Sequence, residues 1–167
     1  MTMPPRPFTE LQVHLARCTL TRGLSEEEAN HIGGQLAALD PWLTLGFSPS
    51  VLSGYLQRDD PALHRYAVIV DEALVGVICI RHPWLRGPYI ELLGLADGFR
   101  GQGIGRALLD WVEREVHTVA NNVWVAASSF NERALAVYRG AGFEPVGVIE
   151  GLVREGRDEV LLRKRLG

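Results

Sequence analysis

The stretch from Tyr89 to Val116, YIELLGLADGFRGQGIGRALLDWVEREV, joins a strand, a glycine-rich turn and an amphipathic helix without interruption. Leu92, Leu93 and Leu95 form an apolar run of strand length, and Asp97-Gly98 breaks it before Arg100. After Gly101, Gly103 and Gly105, apolar side chains recur at Ile104, Leu108, Trp111, Val112 and Val119. Arg106, Asp110, Glu113 and Arg114 occupy the other side, so the spacing predicts a helix with one buried face. The first turn of such a helix carries N–H groups without intrahelical partners and a partial positive charge. Glycines at 101, 103 and 105 present no Cβ, which lets a phosphate approach the backbone. A pyrophosphate is the natural ligand of this turn.

At 167 residues, 47% of them apolar, the chain can bury a real core. The reading is a flexible lead-in over residues 1–9, which hold three prolines, and a single domain over residues 10–167. A formal charge of -3 provides no broad electropositive surface, which argues against a nucleic-acid partner and suits cationic amines. Cys18 and Cys79, the two cysteines, are too few for a disulfide framework or a zinc site, and no metal is expected. No apolar run approaches the roughly 18–20 residues that cross a bilayer, so no membrane association and a cytoplasmic location are expected.

Along the chain, alternation at Leu11, Val13 and Leu15 suits a first strand, with His14 on its polar side. Ser25 and Glu28 have capping-box spacing ahead of Ala29, Ile32, Leu36 and Leu39, and Asp40-Pro41 stops that helix. Ser48-Pro49 starts a second helix carrying Val51, Leu52, Tyr55 and Leu56. The intervening loop, Pro41 to Phe47, is too apolar for a solvated connection and suits a pocket wall, or else a plug at the core edge. Tyr66–Val70 and Leu74–Ile80 read as a hairpin, and Arg81–Gly87 as a second turn. Val123–Ala126 form a strand reached by a helical crossover, hence parallel to its predecessor. Asn131 caps a short helix from Glu132 to Arg139, closed by Gly140-Ala141-Gly142. Val146–Ile149 and Glu159–Arg163 are the last strands. The order is β-α-α-β-β-β-α-β-α-β-β, a mixed α/β sheet with helices on its faces.

Arg100-Gly101-Gln102-Gly103-Ile104-Gly105 resembles the signature of the GNAT N-acetyltransferases: Gln or Arg, two residues, Gly, one residue, then Gly or Ala. A second element of that family is similar to Asn131, Ala134, Tyr138, Gly142 and Phe143, and the element order matches from about residue 10 to 165. A dinucleotide fingerprint fits worse, because Arg106 stands where its last glycine would be, and the Gly-Lys-Ser/Thr of a P-loop is missing.

The resemblance implies the GNAT, or acyl-CoA N-acyltransferase, fold and acetyl-coenzyme A as co-substrate. The pyrophosphate would lie on the amides of Gly101 to Arg106, that is Gly101, Gln102, Gly103, Ile104, Gly105 and Arg106. The pantetheine arm would pair with freed backbone groups of Leu93, Gly94 and Leu95, and Asn131 would contact it or simply cap its helix. Gly94 is the place where the sequence allows the family's strand bulge. Arg100 and Arg106 are candidates for charge-assisted contacts to phosphate. Tyr138 is implied as the general acid that protonates the coenzyme A sulfur, and a backbone N–H near Leu93 or Leu95 as the donor to the thioester oxygen.

Glu91 is out of place in an apolar strand unless it faces a cleft, which makes it the candidate base; a solvated strand start is the other reading. Asp97, His82 and Glu150 are weaker rivals. The acceptor, a small-molecule or peptide amine, is expected between the 41–47 loop, Tyr55 and the 81–87 turn, with Trp42 and Trp84 as walls. Dimers are common among family members, and no stretch here identifies an interface. The reading is direct transfer of an acetyl group to a primary amine in a ternary complex. Its rival is an acyl-coenzyme A binding module without catalysis.

Overall fold

The computed structural model describes residues 1–167. Its strands are β1 (Gln12–His14), β2 (Thr19–Arg22), β3 (Leu63–Val70), β4 (Ala73–Trp84), β5 (Gly87–Leu95), β6 (Asn122–Ser128), β7 (Glu144–Arg154) and β8 (Arg157–Arg165). The helices are α1 (Glu26–Ala37), α2 (Trp42–Leu45), α3 (Pro49–Gln57), α4 (Ile104–Val116) and α5 (Glu132–Gly140). One eight-stranded mixed sheet runs β1-β2-β3-β4-β5-β6-β8-β7. Every pairing is antiparallel except β5 with β6, the pair that the α4 crossover joins.

Helices cover both faces of this sheet. On one, Ile104, Leu108, Trp111, Val112 and Val116 of α4 and Leu135 and Tyr138 of α5 pack against Ile78, Ile80, Ile90 and Val125. On the other, Ala29, Ile32 and Leu36 of α1 and Leu52 and Leu56 of α3 pack against Val77, Cys79 and Leu92. The α1 start is a closed capping box: Glu28 N donates to Ser25 Oγ at 3.1 Å and Ser25 N to Glu28 Oε1 at 2.9 Å. A Cβ at Gly33 would lie 3.0 Å from Ser53 N, so a glycine there lets α1 and α3 approach closely.

Several expectations are corrected. The Arg81–Gly87 turn is mostly strand: β4 continues to Trp84 and only Leu85-Arg86 turn. Thr19–Arg22 form an unexpected strand that pairs with both β1 and β3. Trp42–Leu45 are one helical turn, in which Thr44 N and Oγ1 both donate to Asp40 Oδ1 at 3.0 and 2.5 Å. The final hairpin is longer than its apolar core suggested, turning only at Glu155-Gly156. Helix α4 ends at Val116, which leaves Val119 outside it and 40% exposed. Phe8, within the lead-in, is fully buried against His64, His82 and Trp111.

The strand bulge lies three residues before the position expected. Cys79 pairs with Leu92 and Ile80 with Ile90, so Glu91 is the extra residue, while Gly94 stays in register opposite Val77. An inserted residue reverses the alternation of faces. Ile90 points to the α4 core before the bulge, Leu93 and Leu95 point there after it, and Leu92 turns to the α1–α3 side. Gly94 serves a different need. A Cβ there would meet Leu36 Cδ1 and Cδ2 at 2.8 Å and Trp42 Cη2 at 2.9 Å, so its absence lets Trp42 lie over the strand.

Candidate active site

Strands β5 and β6 pair only at Tyr89↔Trp124 and Ile90↔Val125. Beyond Ile90, the β6-side edge of β5 has no partner strand, and the sheet opens there. Backbone N–H and C=O groups left unpaired in a cleft are strong ligand-binding groups. Leu93 and Leu95 line a groove of about 290 Å³ that runs from this gap to Arg100, Gly101, Gly103, Gly105 and Arg106. Gly103 caps α4 in the left-handed region at φ 81°, and Gly101 has φ 75°, conformations open to glycine at no steric cost. The groove thus ends on the exposed amides of a helix N-terminus, a site for an anion.

The two arginines reach that groove with their guanidinium groups already engaged. Arg100 Nη2 donates to Asp40 O at 3.1 Å. Arg106 donates to Asp110 Oδ1 at 3.1 Å and Gly140 O at 3.0 Å, tying α4 to the end of α5. Gln102 folds back, its Nε2 donating to Gly98 O at 2.6 Å, and Ile104 is buried in the core. Ile104 can therefore meet a ligand only through its backbone. Arg17 and Arg133, which the sequence did not single out, lie beside Gly103 and Gly101: their guanidinium atoms come within 3.0 and 3.4 Å of where a Cβ would stand.

A second cavity, about 450 Å³, adjoins the first. Pro41, Trp42, Leu93, Asn131, Ala134 and Tyr138 line both, so the two form one continuous space. Its walls come from helices on both faces of the sheet, which only the parting of β5 and β6 permits. Leu45, Phe47 and Tyr55 form one side, and Leu152 and Val153 of β7 another. The β7 end is tied across the cavity by Arg154 Nη1, which donates to Thr44 O at 2.8 Å. The β7 contribution had no sequence signal, because Gly151 to Arg157 reads as a turn.

Tyr138 stands at the junction of groove and cavity. The side chain is 7% exposed, and burial, with Tyr89 nearby adding to it, holds the phenol well above its ordinary pKa. Its hydroxyl makes no hydrogen bond within the chain, yet no buried side-chain polar atom lacks a partner, so the hydroxyl opens into the shared space. Asn131 accepts a hydrogen bond from Ala134 N at 3.2 Å as the α5 cap and lines both cavities.

Glu91 faces the larger cavity, as a cleft-facing carboxylate should, but it is not isolated. Tyr55 Oη donates to Oε2 at 2.8 Å, Arg81 Nε to Oε1 at 3.2 Å and Arg81 Nη2 to Oε2 at 3.1 Å. Arg81 also bonds Asp60 at 3.0 Å. Both carboxylate oxygens are thus held, which fixes the Glu91 side chain on the cavity wall. Trp84 is corrected too: it stacks on Tyr89 at 4.7 Å and packs edge-on to Trp124 at 5.6 Å, and it lines neither cavity. His82 is turned to Phe8, and Asp97 and Glu150 lie outside both cavities. Glu159 of β8, also not singled out as a site residue by the sequence, is 5% exposed and on the cavity wall, and Ser128 Oγ donates to it at 2.6 Å.

The sequence of the Acetyltransferase (GNAT) family model matches residues 35–143, more than half of the chain. An N-alpha-acetyltransferase RimI from Mycobacterium tuberculosis is 29% identical over 134 residues, covering 77% of this chain and 78% of that protein. A RimL ribosomal L7/L12 alpha-N-protein acetyltransferase in complex with coenzyme A superposes with a TM-score of 0.73 at 16% identity, over 93% of this chain and 98% of that one. A GNAT acetyltransferase from Elizabethkingia anophelis with acetyl-CoA bound gives 0.66 at 16%, over 90% and 99%.

Proposed function

The chain belongs to the GNAT acetyltransferase family, and on that premise we propose that it moves the acetyl group of acetyl-coenzyme A to a primary amine by direct attack in a ternary complex. The observation that carries this reading is the junction at Tyr138, where a groove ending on anion-binding amides opens into an adjoining, mostly apolar cavity that also carries Glu91, Glu159 and Arg58. Two substrates can therefore meet at one point without an enzyme-bound acetyl intermediate.

In this reading the pyrophosphate rests on the Gly101–Arg106 turn and the pantetheine arm lies along Leu93, Gly94 and Leu95. A backbone N–H of that edge donates to the thioester oxygen as charge develops on it. Tyr138, kept protonated by burial, donates to the leaving thiolate. Glu91, fixed by Arg81 and Tyr55, attracts and orients an ammonium in the cavity. Trp42 and Tyr55 form the walls that grip the rest of the acceptor. Relatives that act on protein α-amines make a peptide N-terminus one acceptor of this class to test.

The test is coenzyme A release with acetyl-coenzyme A and a panel of primary amines, N-terminal peptides included. Release that depends on the amine, with intersecting initial-velocity lines, is expected; acetylation of the enzyme in the absence of amine would contradict it. Trp42→Ala is expected to raise acceptor KM about tenfold, the loss of about 1.4 kcal/mol of contact. An unchanged KM removes Trp42 from the acceptor wall.

A further inference from the structure

We propose that Glu159, positioned by Ser128, is the proton acceptor for the attacking amine, and that it selects acceptors that arrive as ammonium ions. The inference rests on the acetyl-transfer reading above and assigns a residue that reading leaves without a role.

A carboxylate in a largely buried position is costly unless a cation or several hydrogen bonds compensate it. Glu159 has neither. It is 5% exposed, it forms no ion pair, and its one hydrogen bond comes from a neutral hydroxyl, Ser128 Oγ to Oε1. Since no buried side-chain polar atom lacks a partner, the unbonded Oε2 is accessible from the cavity that Glu159 lines.

Arg58, the one cation that lines the same cavity, pairs with Asp60 at 3.7 Å, and no cation pairs with Glu159. Strand β6 presents Ser128, and β7 presents Ile149, its register partner. From β5, Tyr89 is close enough for the carboxylate to act on its phenol, which is pushed up to about 12 chiefly by burial. Helix α5 contributes Tyr138, and Glu91 adds like charge to the same cavity. Arg157, the nearest cation along β8, lies over the Phe130 ring at 5.3 Å. An incoming ammonium supplies the missing cation.

Burial holds the Glu159 carboxyl above its ordinary range, with the Ser128 hydrogen bond pulling the other way. A base with raised proton affinity is better matched to an ammonium than a carboxylate held by an arginine. Glu159 Oε2 takes one proton from R–NH3+, giving R–NH2 and a neutral carboxyl. The nitrogen lone pair attacks the thioester carbon, the C–N bond forms and the C–S bond breaks. Tyr138 protonates the departing thiolate and regains a proton from the nitrogen as the amide forms. Glu159 then returns its proton to solvent, so one proton is released per acetyl transferred.

The test uses Glu159→Gln with the primary amine that wild type acetylates fastest. Expected are a loss in kcat/KM of about 100-fold at neutral pH, a residual rate that climbs with the free-amine fraction as pH rises, and unchanged acetyl-coenzyme A binding. Thermal stability should increase once pH rises above the ordinary carboxyl range. The sign follows from the raised pKa: the folded state loses stability as pH rises through it, and the amide removes that loss. Ser128→Ala is the second variant. Without the hydrogen bond that lowers it, the carboxyl titrates later, and the acid limb of the kcat/KM profile moves to higher pH. A Glu159→Gln enzyme with wild-type kcat/KM and pH profile, or an acid limb unmoved by Ser128→Ala, overturns the proposal while leaving acetyl transfer intact. A wild type silent toward every primary amine overturns both.

Discussion

Tyr138→Phe is expected to lower kcat by about 10²–10⁴-fold, the span typical of a lost general acid, while acetyl-coenzyme A binds as in wild type. The substitution removes one oxygen and keeps the ring, which packs edge-to-face with Phe143 at 5.9 Å within the α5 core. The hydroxyl bonds to nothing in the chain, so its loss leaves no orphaned partner and stability should hold within about 0.5 kcal/mol. In the proposed binding mode cofactor affinity is carried elsewhere, by the amides of the glycine turn and the open edge of β5. Single-turnover rates with binding measured separately make the comparison. Unchanged turnover would remove the hydroxyl from the chemistry.

Gly87→Ala should produce the largest loss of stability. A Cβ at this position would stand 2.1 Å from Asn122 O and 2.9 Å from Asn122 C, both backbone atoms with no rotamer to yield. The strain falls beside the two residue pairs that hold β5 to β6. Overpacking costs up to about 3 kcal/mol, which in a chain of this size lowers Tm by roughly 6–12 °C. Prising the strands apart there also distorts the start of the groove, so cofactor Kd should rise together with the fall in Tm. Gly34→Ala is the contrast, since no atom lies within 4 Å of its Cβ position in α1, and a gain of about 0.5–1 kcal/mol is expected. Thermal melts of the two variants give the answer: equal Tm values would contradict the packing account.

What the sequence makes legible is local chemistry. Capping pairs such as Ser25 with Glu28, the Ser48-Pro49 start and the Asn131 cap are contacts within four residues, and the glycine turn declares its helix end directly. Less legible is whatever depends on a distant neighbour. Pro83 reads as a turn signal, yet β4 runs through it to Trp84. Gly94 reads as a bulge, but its reason is the approach of Trp42 and Leu36 from across the sheet. Phe8 follows three prolines in eight residues and is buried by side chains more than 50 positions away.

Glu159 is the sharpest case. Val160 and Leu162 pack toward the α4–α5 core, so alternation places Glu159 on the opposite face. That much was available. That the opposite face is a cavity follows only from the splay of β5 from β6, which no local pattern records. Glu91 shows the converse: its cleft-facing position was readable from an apolar strand, whereas its partners Tyr55 and Arg81 lie on α3 and β4 and are brought to it by the fold.

The most direct measurement is a crystal structure with acetyl-coenzyme A bound. Expected are pyrophosphate on the amides of Gly101 to Arg106, pantetheine along the β5 edge from Leu95 to Leu93, and the thioester sulfur within hydrogen-bond reach of Tyr138 Oη. A cofactor whose thioester lies away from Tyr138, outside the junction of groove and cavity, would contradict this binding mode.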